Sequence, residues 1–355
     1  MQITAAVSRS PDSPFTLESV DLDEPRPDEV LVRIHATGLC HTDLSSKSRI
    51  PGPAVLGHEG AGVVETVGER VTGVAPGDHV LLSYRSCGEC AQCRGGHRPY
   101  CSRSPMLNSS GGRPDGTATL SQNGTRLFGS FFGQSSFAQY ALASADNVVV
   151  VDPSVDLTVA APLGCGFQTG AGAVLNVLGP EPNSRLVVFG AGGVGLAAVM
   201  AAKTLGVETV IVVDPVASRR EKAVELGASR TVDPTSEDVA AVLRGATHAL
   251  DTTGLPDVVA TALSTLEARG ILVVVGLGPR HATIDVVDLL LNGKVIRGCV
   301  EGDANPSEFI PRLLALHAQG RFPMDAIVRH YDAVDIEKAV ADSRSGSAIK
   351  PVLVW

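Results

Sequence analysis

Four of the seven cysteines lie within fifteen residues, as Cys-x2-Cys-x2-Cys-x7-Cys. Such crowding indicates metal ligation rather than disulfides in a reducing compartment. Four thiolates at short spacing suit a closed tetrahedral zinc site that leaves no position for a substrate. An iron–sulfur cluster is the alternative, but there the fourth cysteine typically follows after three residues and precedes proline, whereas here the gap is seven residues and Ser102 follows. We predict a structural zinc that orders the loop from Ser86 to Ser102, with the ligands Cys87, Cys90, Cys93 and Cys101.

Three further residues could bind a metal, but they are scattered along the chain. Cys40 follows a predicted strand, His58 stands in a Gly-His-Glu segment, and Cys165 lies between two glycines. A lone cysteine is usually a small buried apolar residue, and a lone histidine is usually a hydrogen-bonded structural one. Spacing alone does not join these three residues, so a shared catalytic metal and three separate structural roles both stay open.

A glycine-rich turn follows a predicted strand at 186–189 and opens a predicted helix at 194–205. Glycines there permit a tight turn and a close approach of the backbone to a pyrophosphate, which faces the helix N-terminus. The hexapeptide alone is weak evidence, because glycine-rich turns are common. The residues concerned are Gly190, Gly192, Gly193, Val194 and Gly195.

The next predicted strand, 210–213, strengthens this interpretation because it is followed directly by Asp214, nineteen residues beyond Gly195. A carboxylate there can accept hydrogen bonds from the ribose hydroxyls and repels a 2′-phosphate, so NAD is predicted rather than NADP. The alternative is a solvated turn aspartate before Pro215. Strand, turn, helix and strand in this order favour the nucleotide site.

The remaining pattern indicates an α/β protein. Short β-branched runs between glycine-rich turns, including the strands 248–251 and 271–275, are typical of a buried parallel sheet. Residues 1–165 contain shorter alternating segments and long loops, which indicate a β-rich domain. Helices near 307–319 and 336–343 and a strand at 351–355 carry no nucleotide motif. We therefore predict a catalytic domain of residues 1–165 and 301–355 and a nucleotide-binding domain of residues 166–300.

Charge and hydropathy exclude several classes of protein. The net charge is −9, with 29 basic and 38 acidic residues, so a surface that tracks nucleic-acid phosphates is not expected. The first thirty residues lack the apolar core of a signal peptide. No apolar run approaches the roughly 18 residues of a membrane span. We expect a cytoplasmic protein without nucleic-acid or membrane partners.

The segment Gly57-His58-Glu59-x2-Gly62-x5-Gly68-x2-Val71, followed by the cysteine quartet and the glycine-rich turn, resembles the zinc-dependent medium-chain dehydrogenase/reductase family over nearly the whole chain. The resemblance implies a doubly wound Rossmann sheet plus a GroES-like catalytic domain. It makes Cys40, His58 and Cys165 the ligands of a catalytic zinc with an open fourth position for water or the alcohol oxygen. Asp43 resembles the carboxylate that orients His58, and Glu59 the acid behind the metal.

The same resemblance implies how a proton and a cofactor are handled. Thr42 resembles the hydroxyl that accepts the alcohol proton, and His41 the residue that contacts the pyrophosphate and passes protons on. Many relatives carry a histidine where this chain has Ser45, so the outer end of the relay is unassigned. The other residues with implied cofactor contacts are Thr169 and Val194 beside the nicotinamide, Arg219 beside the adenosine ribose and Lys350 at the pyrophosphate.

The stretches 130–142 and 162–178 most resemble the benzyl (aryl) alcohol and geraniol dehydrogenase branch. Phe131 and Phe132 would line the substrate pocket together with Leu277 and Val300; the alternative is that both rings fill the core. The function expected is reversible oxidation of primary aryl or allylic alcohols to aldehydes with NAD and two zinc ions per chain.

Two other functions stay open, and assembly is expected by analogy alone. The enzyme could act on short aliphatic or glutathione-linked alcohols, or the chain could be a non-catalytic redox sensor that binds NAD and zinc. A homodimer or homotetramer is expected from the family. Cys299 has no assigned role.

Overall fold

The computed structural model describes residues 1–50 and 52–355, which divide into two compact units. Unit one comprises residues 1–165, 305–314 and 325–355, and unit two comprises residues 166–304 and 315–324. The chain returns to unit one at residue 305, four residues after the predicted boundary at residue 301. The assignment of 315–324 to the first domain is also wrong, because Arg321 donates to the Thr204 carbonyl oxygen of unit two at 2.9 Å.

Both units contain β-strands of very different lengths. The strands are β1 (Gln2–Ser8), β2 (Phe15–Leu22), β3 (Glu29–Gly38), β4 (Ala54–Val55), β5 (Gly60–Val67), β6 (His79–Leu82), β7 (Leu120–Gln122), β8 (Thr125–Arg126), β9 (Tyr140–Ser144), β10 (Val148–Val151), β11 (Arg185–Phe189), β12 (Thr209–Val213), β13 (Arg230–Val232), β14 (Ala246–Asp251), β15 (Leu266–Val274), β16 (Val295–Gly298), β17 (Val328–Asp332) and β18 (Lys350–Val354).

The helices are mostly short. They are α1 (His41–Lys47), α2 (Ala91–Arg94), α3 (Ser104–Ser109), α4 (Leu157–Ala160), α5 (Gly166–Gly172), α6 (Gly193–Thr204), α7 (Ala217–Leu226), α8 (Val239–Leu243), α9 (Pro256–Thr265), α10 (Val286–Leu291), α11 (Pro306–Ala318) and α12 (Ile336–Ser345). Among the described residues, none of these helices has the length and apolarity needed to cross a bilayer.

Unit one contains two sheets. One has the order β4-β1-β2-β7-β8, and the other has the order β10-β6-β5-β3-β18-β17 with β9 also paired to β3. The tail strand β18 pairs antiparallel with β3, which brings the C-terminus into this unit. Most residues of β3 are buried, and β5 is buried mainly in its first half, so these strands lie within the core of the unit. The loops that leave β3 and precede β5 carry the candidate ligands.

Unit two is a six-stranded parallel sheet in the order β13-β12-β11-β14-β15-β16. This order reverses between β11 and β14, which confirms the predicted doubly wound sheet. The central strands β11, β12 and β14 are almost entirely buried, and their β-branched runs made them predictable. The sequence analysis missed β13 and β16 because β13 has three residues and every residue of the edge strand β16 is exposed.

Candidate active site and metal centres

Four side chains of unit one converge on one point. A ligand atom from each of Cys40, His58, Glu59 and Cys165 lies within 4.8 Å of every other. Cys40 is the residue before α1, the histidine and glutamate stand just before β5, and Cys165 follows a 3-10 turn at 161–164. The three scattered residues whose connection the sequence left open are therefore brought together. Two sulfurs and an imidazole are the donor set of a catalytic zinc site.

Asp43 holds two of these groups in place. Its side chain is fully buried, and Oδ1 lies 2.8 Å from His58 Nδ1 and accepts from the Gly57 backbone N–H at 3.1 Å. Oδ2 accepts from the Cys40 backbone N–H at 3.0 Å, which caps α1. One carboxylate therefore fixes the imidazole orientation and the start of the cysteine-bearing turn, as outer-shell carboxylates of zinc sites do.

The charge state of the cluster also fits a cation. His58 Nε2 is buried and has no hydrogen-bond partner among the described residues, and because Nδ1 is held by Asp43, Nε2 is the nitrogen left for a metal. The hydrogen bond from Cys165 holds the pKa of the Cys40 thiol well below its usual range. Burial acts in the opposite direction, and the positive charge of Lys350 lowers the pKa further. A buried imidazole nitrogen beside a stabilised thiolate is what a zinc ion requires.

Lys350, predicted to contact the pyrophosphate, lies beside Glu59 in unit one. It is only 4% exposed, and its Nζ lies 2.7 Å from Glu59 Oε1 and donates to the Leu39 carbonyl oxygen at 3.3 Å. Its ammonium pairs with Glu59, because β18 runs beside β3 and carries the side chain into the core. Burial raises the pKa of Glu59 to about 7, although Lys350 opposes this rise.

Two phenyl rings cover the histidine ligand. The centroids of the Phe132 and His58 rings lie 4.6 Å apart, with an angle of 32° between the ring planes. The Phe131 ring packs edge-on against the same imidazole, with the centroids 5.5 Å apart. The backbone at Ser130, Phe132 and Ser135 has positive φ, a strained conformation that tends to occur at functional sites. Gln134 holds the turn because it donates to the His58 carbonyl oxygen at 2.9 Å. The sequence analysis missed this glutamine.

The cysteine quartet forms a second cluster in unit one. The four sulfurs lie within 4.8 Å of one another, with Cys90 and Cys93 at 3.5 Å and Cys87 and Cys93 at 4.0 Å. A tetrahedral zinc with bonds of about 2.3 Å requires sulfurs about 3.8 Å apart. Backbone N–H groups donate to the sulfurs of Cys87 and Cys101, which favours thiolates. The spacing fits a single ion and leaves no room for a cluster of irons.

The glycine-rich turn has the backbone geometry of a phosphate cradle. Gly190 has φ +93°, and a Cβ there would overlap Thr252 Oγ1. A Cβ at Gly195 would overlap the Gly190 carbonyl oxygen, so only glycine allows this packing of turn on helix. Helix α6 begins at Gly193, with Gly192 as its N-cap. The turn and the helix N-terminus therefore present backbone N–H groups to an anion.

Asp214 and Arg219 line the same pocket of unit two, which has a volume of about 510 Å³. Asp214 is 3% exposed, and its carboxylate accepts from the backbone N–H groups of Ala191 at 2.7 Å and Val216 at 2.8 Å. Arg220 Nη1 donates to the Asp214 carbonyl oxygen at 2.8 Å. The two predicted ribose residues and the glycine turn thus share one cavity, whose lining also includes Leu255 and Val258.

The remaining predicted residues fall in both units. In unit one, Thr42 is half-buried and His41 exposed on the first turn of α1. In unit two, Gly170, the residue after Thr169, packs against Val194, because a Cβ on Gly170 would overlap the Val194 carbonyl oxygen. The side chains of two predicted pocket residues of unit two are exposed, to 62% for Leu277 and 47% for Val300.

Comparison with known proteins agrees with this geometry. Residues 26–153 match the model of an alcohol dehydrogenase GroES-like domain, and residues 193–319 match that of a zinc-binding dehydrogenase. A geraniol dehydrogenase from Castellaniella defragrans is 44% identical over 99% of this chain and 97% of its own. A benzyl alcohol dehydrogenase from Acinetobacter calcoaceticus has a TM-score of 0.96 and 42% identity, covering 100% of this chain and 99% of its own.

A further crystal structure extends the similarity. An alcohol dehydrogenase zinc-binding domain protein from Burkholderia ambifaria has a TM-score of 0.96 and 49% identity, covering 100% of this chain and 99% of its own. These matches confirm the predicted fold class, a Rossmann sheet with a GroES-like domain. Together with the two cysteine-containing clusters, they show that the chain belongs to the zinc-dependent medium-chain dehydrogenase/reductase family, as an alcohol dehydrogenase.

Proposed function

We propose that the chain oxidises primary aryl or allylic alcohols, of the benzyl alcohol and geraniol type, reversibly to aldehydes with NAD. The observation that carries this proposal is the contact of two phenyl rings with the imidazole of the cysteine–histidine cluster. Flat phenyl or allylic groups stack well on aromatic rings. Two relatives, a geraniol dehydrogenase and a benzyl alcohol dehydrogenase, support the same substrate class.

We propose two zinc ions per chain. The ligand atoms of each cluster are close enough to share one ion. Cys40, His58 and Cys165 would hold the catalytic ion, and the cysteine quartet the structural one. Zinc supplies Lewis acidity toward the alcohol oxygen, and NAD supplies the hydride acceptor.

The residues around the catalytic cluster orient the reaction and move the proton. Asp43 keeps the imidazole fixed, and the two phenyl rings exclude water from one side of the cluster. The half-buried Thr42 accepts the alcohol proton, and the exposed His41 passes it to solvent. Ser45 donates to the Thr42 carbonyl oxygen at 3.3 Å, so it steadies the first turn of the helix that carries this route.

The substrate class can be tested with an alcohol panel and NAD as cofactor. For the wild type we expect kcat/KM for benzyl alcohol or geraniol to exceed that for ethanol and S-hydroxymethyl-glutathione by at least about tenfold, because a buried phenyl or allyl group contributes roughly 1–3 kcal/mol. Phe132→Ala should lower kcat/KM for benzyl alcohol several-fold more than for ethanol. The matched control is Phe128→Ala, since the Phe128 ring packs on the core and on Phe131. A preference for ethanol or the glutathione conjugate would refute the proposed substrate class.

The cofactor preference can be tested at Asp214. The buried carboxylate supports the proposal of NAD, because it repels a 2′-phosphate at the ribose end of the pocket. Asp214→Ser should therefore lower the ratio of kcat/KM with NAD to kcat/KM with NADP by at least about tenfold. Glu225→Ser, an exposed change on α7 outside this pocket, should leave the ratio within about twofold. An unchanged ratio in Asp214→Ser would contradict the ribose assignment.

A further inference from the structure

The order of the parallel sheet indicates where the two halves of a dinucleotide lie in unit two. Asp214 follows β12, on one side of the reversal between β11 and β14. In doubly wound sheets the dinucleotide spans this reversal along the carboxyl ends of the strands. With the adenosine half beside β12, the nicotinamide half lies over the ends of β14, β15 and β16. This placement rests on the proposed use of NAD.

A buried carboxylate stands at the end of β16. Glu301 is 8% exposed, and its Oε2 accepts from Gln168 Nε2 at 3.1 Å and from Thr169 Oγ1 at 3.5 Å. The next residue of α5, Gly170, packs against the Val194 carbonyl oxygen in the first turn of α6. The carboxylate thus lies near the helix that begins at the phosphate turn, on the nicotinamide side of the sheet.

The backbone that carries Glu301 is strained and firmly held. Three consecutive residues have positive φ, +50° at Glu301, +69° at Gly302 and +49° at Asp303. Left-handed conformations of residues other than glycine cost free energy and persist where packing over-determines them. Here the packing is visible, because Asn176 donates to the Gly302 carbonyl oxygen at 3.0 Å and a Cβ on Gly302 would overlap the Gln168 carbonyl oxygen. The fold therefore maintains one position for this carboxylate.

Neighbouring acids at the same sheet edge have structural partners. Asp251 is fully buried and accepts from Thr253 and Gly254 of its own loop at 2.7–3.0 Å. Asp303 forms an ion pair with Arg297 at 2.6 Å. Glu301 accepts hydrogen bonds from a side-chain amide and from a hydroxyl. A carboxylate accepts hydrogen bonds from amide N–H groups, and a hydroxyl can donate a hydrogen bond to an amide carbonyl oxygen.

We propose that Glu301 binds the carboxamide of the nicotinamide: its carboxylate accepts a hydrogen bond from the carboxamide amine, and the Thr169 hydroxyl turns its hydrogen from Glu301 to the carboxamide oxygen. A primary carboxamide offers both a donor and an acceptor, which this pair complements. The bond to the carboxylate is charge-assisted and therefore stronger than a neutral one. Glu301 is thus a residue that determines which pyridine nucleotide the enzyme accepts.

The test is calorimetric binding of three ligands: NAD, its 3-acetylpyridine analogue, in which a methyl group replaces the amine, and ADP-ribose, which lacks the pyridine. The wild type should bind NAD at least about tenfold more tightly than the analogue. Glu301→Gln should reduce this ratio several-fold because the acceptor loses its charge. Glu301→Asn, which tolerates positive φ but is one carbon shorter, should bring the ratio close to one. Both variants should bind ADP-ribose with wild-type affinity.

Asp303→Asn is the matched control, because it removes the neighbouring charge in the same strained segment and should preserve the ratio. The inference about Glu301 is overturned if the Glu301 variants keep the wild-type ratio, or if they lose ADP-ribose binding to the same extent as NAD binding, which would indicate a structural role. A wild type that binds neither NAD nor ADP-ribose would instead overturn the proposed cofactor.

Discussion

Replacing Cys165 by serine is expected to lower kcat/KM for benzyl alcohol by at least about a thousandfold. The reason is that the catalytic cluster then keeps one sulfur and one imidazole, and a serine hydroxyl is a poor zinc ligand. Lewis-acid assistance contributes several kcal/mol to such reactions, and each 1.36 kcal/mol is about tenfold in rate. Steady-state kinetics with NAD and metal analysis measure both effects: about two zinc ions per chain in the wild type and about one in the variant.

The thermal unfolding temperature should change little in Cys165→Ser, because the quartet remains intact. Cys299→Ser is the matched control, since Cys299 is a buried cysteine that belongs to neither metal-capable cluster. It should keep both zinc ions and turn over at close to the wild-type rate. If Cys165→Ser turned over as fast as the wild type, the catalytic-site assignment would be wrong.

Cys93→Ser should have the opposite effect, with a large loss of stability and a small direct effect on chemistry. The lobe around the quartet has little apolar core of its own, because its buried cluster consists of Cys93, Cys101 and Leu107. Zinc binding therefore supplies most of the free energy that orders this loop. Loss of several kcal/mol corresponds to a fall in unfolding temperature on the order of 10 °C for a domain of this size.

Calorimetric unfolding and metal analysis check this expectation. The Cys93→Ser protein should retain about one zinc ion per chain, and the soluble fraction should still oxidise benzyl alcohol within a few-fold of the wild-type kcat. Cys165→Ser provides the control, since it should lose activity and keep its unfolding temperature, whereas Cys93→Ser should lose stability and keep most of its activity. An unchanged unfolding temperature together with two retained zinc ions would show that the quartet does not hold a structural ion.

Features encoded by local spacing were predictable. The quartet lies within one loop, and the turn from Gly190 to Gly195 needs glycine because Gly190 has positive φ and Gly195 packs on the Gly190 carbonyl oxygen. The strands β11, β12 and β14 were predictable because buried parallel strands are continuous β-branched runs. Short or exposed elements such as β13 and β16 carry no such run, and they were missed.

Features that depend on distant contacts could not be predicted in this way. The burial of Lys350 against Glu59 is one of them, because it results from the pairing of β18 with β3. The sequence did not indicate a role for Glu301, because neither the positive φ of this glutamate nor its contact with Gln168 produces a recognisable sequence pattern.

The sequence by itself determined the metal-binding loop, the phosphate turn and the alternation of strands and helices, since each depends on residues close together in the chain. The convergence of Cys40, His58 and Cys165 was decided only by tertiary structure. Their separations of 18 and 107 residues carry no geometric information until β3, β5 and the turn before α5 pack together, with the buried carboxylate of Asp43 fixing the imidazole. Packing of distant segments creates that site, and no local pattern specifies it.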